Sequence, residues 1–169
     1  MPQARRQYVI GLGSNLGDRL RTLRAALTDL AALGEICGVS ALYESAAVGP
    51  PQPDYLNAAV LLDSALEPMP LLQGLLAIER DHGRERRERW GPRTLDLDLL
   101  FSPGLELRQP GLTLPHPELA RRAFALAPLL DVAPDAEEPG SRQAYADLFR
   151  QLEGAGLRRL ETSEGWRAG

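Results

Sequence analysis

The feature that most constrains this chain is a strand pattern at residues 94–100 that carries two acids. Leucines at every second position alternate with Thr94, Asp96 and Asp98, so the leucines face one way and the aspartates the other. Aspartate is disfavoured in strands, and these two carboxylates lie roughly 6.6 Å apart along one face. At that distance they repel by about 0.6 kcal/mol in water and about 2.5 kcal/mol at an effective dielectric constant near 20.

The acid pair has two interpretations, and spacing alone does not choose between them. On a surface strand both aspartates are solvated and the repulsion costs little. In a cleft they require a cation, and an all-oxygen ligand set that substrate phosphates complete suits magnesium. Arg89 and Arg93 stand just upstream, and guanidinium groups match phosphate geometry. The combination suggests chemistry on a nucleotide.

Charge and composition exclude several classes of protein. The net charge is −4, which argues against nucleic-acid and membrane partners. All 19 basic residues are arginine, so no mechanism can depend on a lysine. A single cysteine, Cys37, excludes an intrachain disulfide, and with two histidines it makes a structural zinc site improbable. The sequence shows no signal peptide and no apolar window long enough for a membrane span, so we expect a cytoplasmic protein.

Hydrophobic periodicity predicts the order β-α-β-β-α-β, which is typical of an α+β, ferredoxin-like core with an antiparallel sheet and packed helices. The predicted elements are strands at 8–13, 35–43, 55–62 and 94–101, helices at 17–33 and 68–82, and C-terminal additions with a helix entered at Pro117 and another at 141–153. We expect one domain over residues 1–169. Residues 1–7 are predicted to be a loose arm, and residues 154–169 carry no clear signal.

Three glycines follow the first strand pattern without forming a known nucleotide-binding motif. Gly11, Gly13 and Gly17 do not fit the dinucleotide fingerprint, and no phosphate-binding loop motif with its lysine is present. The interpretation from sequence is close packing and a tight turn.

Four stretches read together resemble one enzyme family. They are Gly11–Asp18 (GLGSNLGD), Gln52–Val60 (QPDYLNAAV), Arg89–Leu99 (RWGPRTLDLDL) and Leu114–Glu118 (LPHPE) with Arg122–Phe124 (RAF). Their order and spacing are similar to 6-hydroxymethyl-7,8-dihydropterin pyrophosphokinase of the folate pathway, from about Ile10 to Pro134. The motif that runs from the tryptophan to the aspartates is highly specific to that family.

The resemblance implies an activity and its cofactors. The enzyme would transfer pyrophosphate from ATP to 6-hydroxymethyl-7,8-dihydropterin and release AMP. Two Mg²⁺ ions would be held by Asp96 and Asp98, which would be catalytic together with Arg84 and Arg93.

The resemblance also implies two sets of binding residues. The pterin set is Ser45, Ala46, Val48, Tyr55, Asn57, Trp90, Asp96 and Phe124. The ATP set is Glu79, Arg84, Trp90, Arg93, Leu99, Thr113, His116 and Arg122. For His116 a second interpretation is open, namely a loop histidine that caps main-chain groups.

Two other functions remain as alternatives at this stage. One is a different magnesium-dependent nucleotide phosphotransferase on the same fold, which would release ADP. The other is a non-catalytic ferredoxin-like module that binds RNA through its arginine-rich loop, against which the negative net charge argues. We expect a monomer whose partners are the two small-molecule substrates, with no nucleic acid and no membrane.

Overall fold

The structure is a computed structural model that describes residues 4–46, 51–83, 94–152 and 156–167. Its strands are β1 (Arg6–Ser14), β2 (Glu35–Val39), β3 (Leu42–Ser45), β4 (Tyr55–Ser64), β5 (Asp96–Phe101), β6 (Leu107–Gln109), β7 (Leu112–Leu114) and β8 (Leu157–Glu161). Its α-helices are α1 (Arg19–Leu30), α2 (Pro68–Asp81), α3 (Ala123–Val132), α4 (Tyr145–Leu152) and α5 (Ser163–Arg167), with a 3-10 turn at Leu119–Arg121.

The main sheet is antiparallel, with the strand order β5-β1-β4-β3-β8, and β2 pairs with the far half of β4. A separate ribbon joins β6 to β7. The predicted α+β, ferredoxin-like core is confirmed, since β1-α1-β2/β3-β4-α2-β5 is the expected order with one strand divided. Among the described residues, no helix is long and apolar enough to cross a membrane.

The predicted strand at 35–43 is wrong in one respect, because the chain breaks it into β2 and β3 at Ser40 and Ala41. The Ser40 hydroxyl donates to the carbonyl of Ala41 at 2.7 Å and accepts from the Ala59 N–H at 2.8 Å. A side chain that bonds main-chain groups in this way competes with the regular ladder, so the two halves of the strand meet β4 in different registers.

Each face of the sheet has its own apolar cluster. On one face the apolar side chains of β1, together with Leu97 and Leu99 of β5, pack against α1 and α2. On the other face Val9, Ala59 and Phe101 pack against α3 and α4. Farther along this second face, the same strands carry polar residues and glycines.

Two helices begin at other residues than predicted, and their N-cap residues mark the observed starts. Helix α1 begins at Arg19 because the Asp18 carboxylate accepts the Arg21 N–H at 3.1 Å. The helix predicted from Pro117 is wrong: residues after it form only a 3-10 turn, and α3 begins at Ala123. Arg122 has an extended backbone and lies between the two elements, as the C-cap of the 3-10 turn and the N-cap of α3.

Both chain ends within the described residues are more ordered than predicted. Strand β1 begins at Arg6, and the Arg5 guanidinium pairs with Asp63 at 3.0 Å, which shortens the predicted loose arm. Toward the C-terminus, β8 and α5 form, and Trp166 is fully buried against the first face. Its indole N–H donates to the Ser40 carbonyl at 2.9 Å, beside the break between β2 and β3.

Candidate active site

Strand register brings the predicted metal ligands and the predicted pterin amide onto one face of the sheet. Gly13 of β1 lies opposite Asn57 of β4 on one side and opposite Asp96 of β5 on the other. Gly11 lies in the same way opposite Ala59 and Asp98. Directly opposed residues share a face, and neighbouring strands are about 4.8 Å apart. Asn57 and Asp96 therefore stand roughly 10 Å apart, on either side of Gly13, which has no side chain.

Gly13 therefore forms a floor between the two polar rows. A Cβ at this position would lie 3.4 Å from the Tyr55 ring (Cδ1) and 3.7 Å from Asn57 Oδ1. Sequence reasoning missed this role, because the glycines of this stretch were interpreted as packing and turn residues. That interpretation holds for Gly11, which faces Leu100, and for Gly17, whose φ of 66° requires the left-handed region.

Strand β5 is fixed in place by a buried carboxylate. Glu79 of α2 is 2% exposed, and its Oε2 accepts the main-chain N–H of Leu97 at 2.8 Å, between the two aspartates. The resemblance implies that Glu79 lines the ATP site, whereas this contact gives it a structural role in aligning Asp96 and Asp98.

The acid pair fits magnesium better than it fits a metal held by protein alone. Asp96 and Asp98 are half-buried on one face, beside Gly13 and Gly11 of β1. Within the described residues no group of three or more His, Cys, Asp or Glu side chains surrounds such a point. Two neighbouring carboxylates are a donor set that suits a Mg²⁺ ion, which keeps several waters and takes substrate phosphates.

The Asn57 amide is oriented by a neighbouring strand. Its Nδ2 donates to the Ser45 hydroxyl at 2.8 Å, and both side chains are buried. This bond directs the Nδ2 end toward β3, while Oδ1 lies on the Gly13 side. Ser45 is paired with Tyr55 in the sheet, so the three predicted pterin side chains Ser45, Tyr55 and Asn57 form one group. Ala46 follows directly and is exposed.

His116 and Arg122 bring a donor and a cation to the aspartate side. Burial lowers the pKa of His116, the Arg122 charge lowers it further, and the carboxylates of Glu118 and Asp96 oppose the shift. The imidazole is therefore neutral at pH 7. Its Nδ1 accepts the Glu118 N–H at 3.1 Å, so Nε2 carries the proton and is a hydrogen-bond donor. The main-chain capping interpretation is observed, and it leaves Nε2 for a ligand.

Phe124 lies in the first turn of α3, the helix that packs on the second face of the sheet. Ala127, one turn later, packs with Tyr43, and Tyr43 is the β3 partner of Asn57. The Arg122 guanidinium lies 5.6 Å from the Phe124 ring centroid, so the aromatic ring and the cation are neighbours.

Other predicted site residues have different outcomes. Leu99 is 3% exposed and belongs to the first apolar cluster, and its contact with ATP stays a prediction. Thr113 lies half-buried on β7. The predicted residues Val48, Arg84, Trp90 and Arg93 lie outside the described residues.

A cavity of about 670 Å³ lies at the opposite end of the second face, between Val9, Phe101 and Val132. Its rim carries four carboxylates, those of Glu106, Asp135, Glu137 and Glu138, against the single cation Arg142. An anionic triphosphate would be repelled there, so this cavity does not compete with the aspartate face as a nucleotide site.

The family model of 7,8-dihydro-6-hydroxymethylpterin-pyrophosphokinase (HPPK) matches residues 9–134. The chain belongs to this family. The 2-amino-4-hydroxy-6-hydroxymethyldihydropteridine pyrophosphokinase of Synechocystis sp. is 47% identical over 154 residues, which cover 90% of this chain and 79% of that protein. The enzyme of the same name from Pseudomonas aeruginosa is 43% identical over 154 residues, which cover 89% and 94%.

Solved structures agree on the fold of the family. The crystal structure of Plasmodium falciparum HPPK-DHPS with pterin and p-hydroxybenzoate superimposes with a TM-score of 0.72 at 15% identity, over 94% of this chain. The match covers 47% of that longer chain, so this chain spans about half of it.

Membership of the pyrophosphokinase family assigns the reaction. The chain is a 2-amino-4-hydroxy-6-hydroxymethyldihydropteridine diphosphokinase, which transfers pyrophosphate from ATP to hydroxymethyldihydropterin in folate synthesis. This assignment takes the place of the two alternative functions, an ADP-releasing phosphotransferase and an RNA-binding module.

Proposed function

We propose that the pterin lies on the Gly13 floor, between Asn57 and Asp96. The gap of roughly 10 Å between these residues suits a flat bicycle whose hydroxymethyl arm extends toward β5. Asn57 is held by Ser45 and offers Oδ1 to the amino edge of the ring, and Tyr55 and Phe124 supply aromatic faces. The observation that carries this proposal is the register that puts Asn57, Gly13 and Asp96 in one row.

The triphosphate of ATP then lies over the β5 side of the floor. Asp96 and Asp98 would hold two magnesium ions, which would supply charge neutralisation at the phosphates and acidify the pterin hydroxyl. Arg122 and the Nε2–H of His116 are donors to phosphate oxygens from α3 and the loop before it. Arg84, Trp90 and Arg93 are proposed to complete the ATP side on the strength of the family resemblance.

Positioning is the main task of these residues in the reaction. The hydroxymethyl oxygen attacks the β-phosphorus of ATP, the bond from that phosphorus to the α-phosphate bridging oxygen breaks, and AMP leaves. As the new O–P bond forms, the hydroxyl proton would pass to the Asp96 carboxylate, which lies in one row with Asn57 and Gly13. In-line transfer depends on alignment and charge stabilisation more than on covalent participation by the protein.

We further propose that residues 1–169 act as one cytoplasmic, monomeric domain with no nucleic-acid or membrane partner. The shared sheet, with both apolar clusters built on the same strands, supports a single unit. Sedimentation of the protein at micromolar concentration, with and without substrates, tests the monomer, and a dimer in either condition would overturn it.

Replacement of either acid tests the proposed metal role. Asp96→Asn and Asp98→Asn keep the shape of the side chain and remove its charge, so we expect the fold to persist and AMP release to fall by about 10³-fold. Circular dichroism and an assay that resolves AMP from ADP measure both expectations. Turnover near the parent level in either variant would end the two-carboxylate assignment.

A further inference from the structure

Strand β8 lies outside residues 9–134 that the family model matches, and yet it borders the proposed pterin site. It pairs with β3 so that Leu157 lies opposite Ser45, which in turn lies opposite Tyr55. The proposed pterin residues are therefore one and two strands away from the C-terminal strand.

A line of polar contacts runs from β8 to the residue that precedes Tyr55. The Arg158 guanidinium bonds Glu44 Oε1, and Arg19 Nη1 bonds Glu44 Oε2 at 3.1 Å. The same Arg19 nitrogen donates to the main-chain carbonyl of Asp54 at 2.8 Å. Glu44 is thus the junction between the C-terminal strand and the segment that leads into β4.

The junction is partly shielded from water. The Glu44 side chain is 13% exposed, and the hydrogen bond from Arg158 holds the pKa of this carboxyl below its usual value, with Arg19 acting in the same direction against the effect of burial. Glu44 is consequently charged at pH 7, and both arginines bind it as carboxylate partners.

Helix α5, which follows β8, is anchored to the rest of the fold through Trp166. Trp166 is fully buried, and its carbonyl accepts from Arg24 Nε at 2.6 Å while its indole donates to Ser40. These two bonds fix α5 to α1 and to the residues just before β3, so the chain is anchored directly after β8.

We propose that Arg158 is a positioning residue for the pterin: through Glu44 and Arg19 it fixes the main chain at Asp54 and hence the Tyr55 ring. This inference rests on the proposed pterin site and goes beyond it, because it gives a residue outside the family match a role in substrate affinity. Arg158 does not itself touch the substrate, so its effect is on binding of the pterin and not on the chemical step.

The test is Arg158→Met, which removes the charge and keeps an apolar stem. Since the Arg158 side chain is 71% exposed, the expected effect is modest: about threefold to fivefold weaker pterin binding, in the range of exposed ion pairs. We expect kcat and the KM for ATP to stay within about twofold of the parent. Calorimetric titration with 6-hydroxymethylpterin gives the dissociation constant without turnover.

Arg150→Met is the matched control. Arg150 is also 71% exposed and also pairs with a carboxylate, Asp147, but it lies on α4 and has no contact with the Glu44 junction. Its replacement should leave pterin affinity unchanged. A fall in affinity in this control as large as in Arg158→Met would overturn the proposal, because the effect would then be general.

A double-mutant cycle tests whether the effect of Arg158 on pterin affinity passes through Glu44. In a Glu44→Gln background the further change Arg158→Met should have no additional effect on pterin affinity. Unchanged affinity in the single Arg158→Met variant, an equal rise in the KM for ATP, or a full effect that persists in the Glu44→Gln background would each overturn the inference.

A separate variant distinguishes this inference from the site on which it rests. Asn57→Ala should weaken pterin binding if the proposed site is right. Loss of affinity in Asn57→Ala together with none in Arg158→Met would refute the positioning role alone. Unchanged affinity in Asn57→Ala would refute the proposed pterin site.

Discussion

The substitution Gly13→Ala tests whether the substrate rests on the Gly13 floor, because it should lower activity without lowering the stability of the fold. The added methyl group would meet Tyr55 Cδ1 at 3.4 Å and Asn57 Oδ1 at 3.7 Å, which are ordinary contacts. The backbone at this strand position has no positive φ, so alanine is not strained there. Because alanine lowers the entropy of the unfolded chain, the free energy of unfolding should be unchanged or higher by about 0.5–1 kcal/mol.

Activity should fall, because the methyl group stands where the proposed site places the substrate ring. A flat ring that rests on the Gly13 backbone would be lifted by about 1 Å, and a displacement of that size can cost about 100-fold in rate. We therefore expect kcat/KM to fall by about 100-fold, which corresponds to about 2.7 kcal/mol.

Gly38→Ala is the control for this experiment. Gly38 also lies in a strand, and its added methyl group would meet Leu61 Cβ and Val132 Cγ1 at 3.6 Å, away from the site. Both variants should melt at or slightly above the temperature of the parent, and only Gly13→Ala should lose activity in the AMP-release assay. If Gly13→Ala keeps kcat/KM within about threefold of the parent, the substrate does not rest on this floor and the reasoning is refuted.

Three further predictions concern individual side chains. Glu79→Ala leaves a buried N–H of β5 unpaired and should lower the free energy of unfolding in urea by about 1–3 kcal/mol, whereas Glu79→Gln keeps an acceptor and should lose less. The buried Tyr145 hydroxyl has no hydrogen-bond partner among the described residues, so Tyr145→Phe should raise the free energy of unfolding by about 1 kcal/mol, and a lower calorimetric melting temperature would contradict this. Burial and the Asp131 hydrogen bond raise the pKa of Tyr43 to about 12 from 10.0, so the neutral phenol favours the folded state: its contribution is complete below pH 10 and is lost as the pH rises to about 12. Urea unfolding across that window should therefore show a smaller decline for Tyr43→Phe than for the parent, and equal declines would count against this assignment.

The fold was accessible from sequence wherever local patterns decide structure. Alternation of apolar residues predicted β1, β4 and β5, and helical spacing predicted α1 and α2 to within a few residues. The break at Ser40 was not predictable, because it depends on a hydroxyl that bonds the distant Ala59. The same holds for β8 and α5, which form against β3 and α1 and have no strong periodicity of their own.

The sequence predicts the placement of the two aspartates on one face, but it does not predict the position of Gly13 between them and Asn57. Alternation alone put Asp96 and Asp98 on one face, but the role of Gly13 depends on its register with two other strands, which no local pattern encodes. The same alternation directs the Leu99 side chain to the core, where the structure places it. Its contact with ATP is implied by the resemblance alone and stays a prediction.

The second sheet face carries an apolar cluster at one end and Asp96 and Asp98 at the other, and this division has a consequence for how the strands align. Were β5 to slide by two residues toward α3, Asp98 would take the place of Leu100 and meet Leu126 in a dry environment. An unpaired carboxylate there would cost several kcal/mol, far more than a lost apolar contact. The two acids thus also favour one register during folding, since the observed alignment of this strand keeps them out of the apolar cluster.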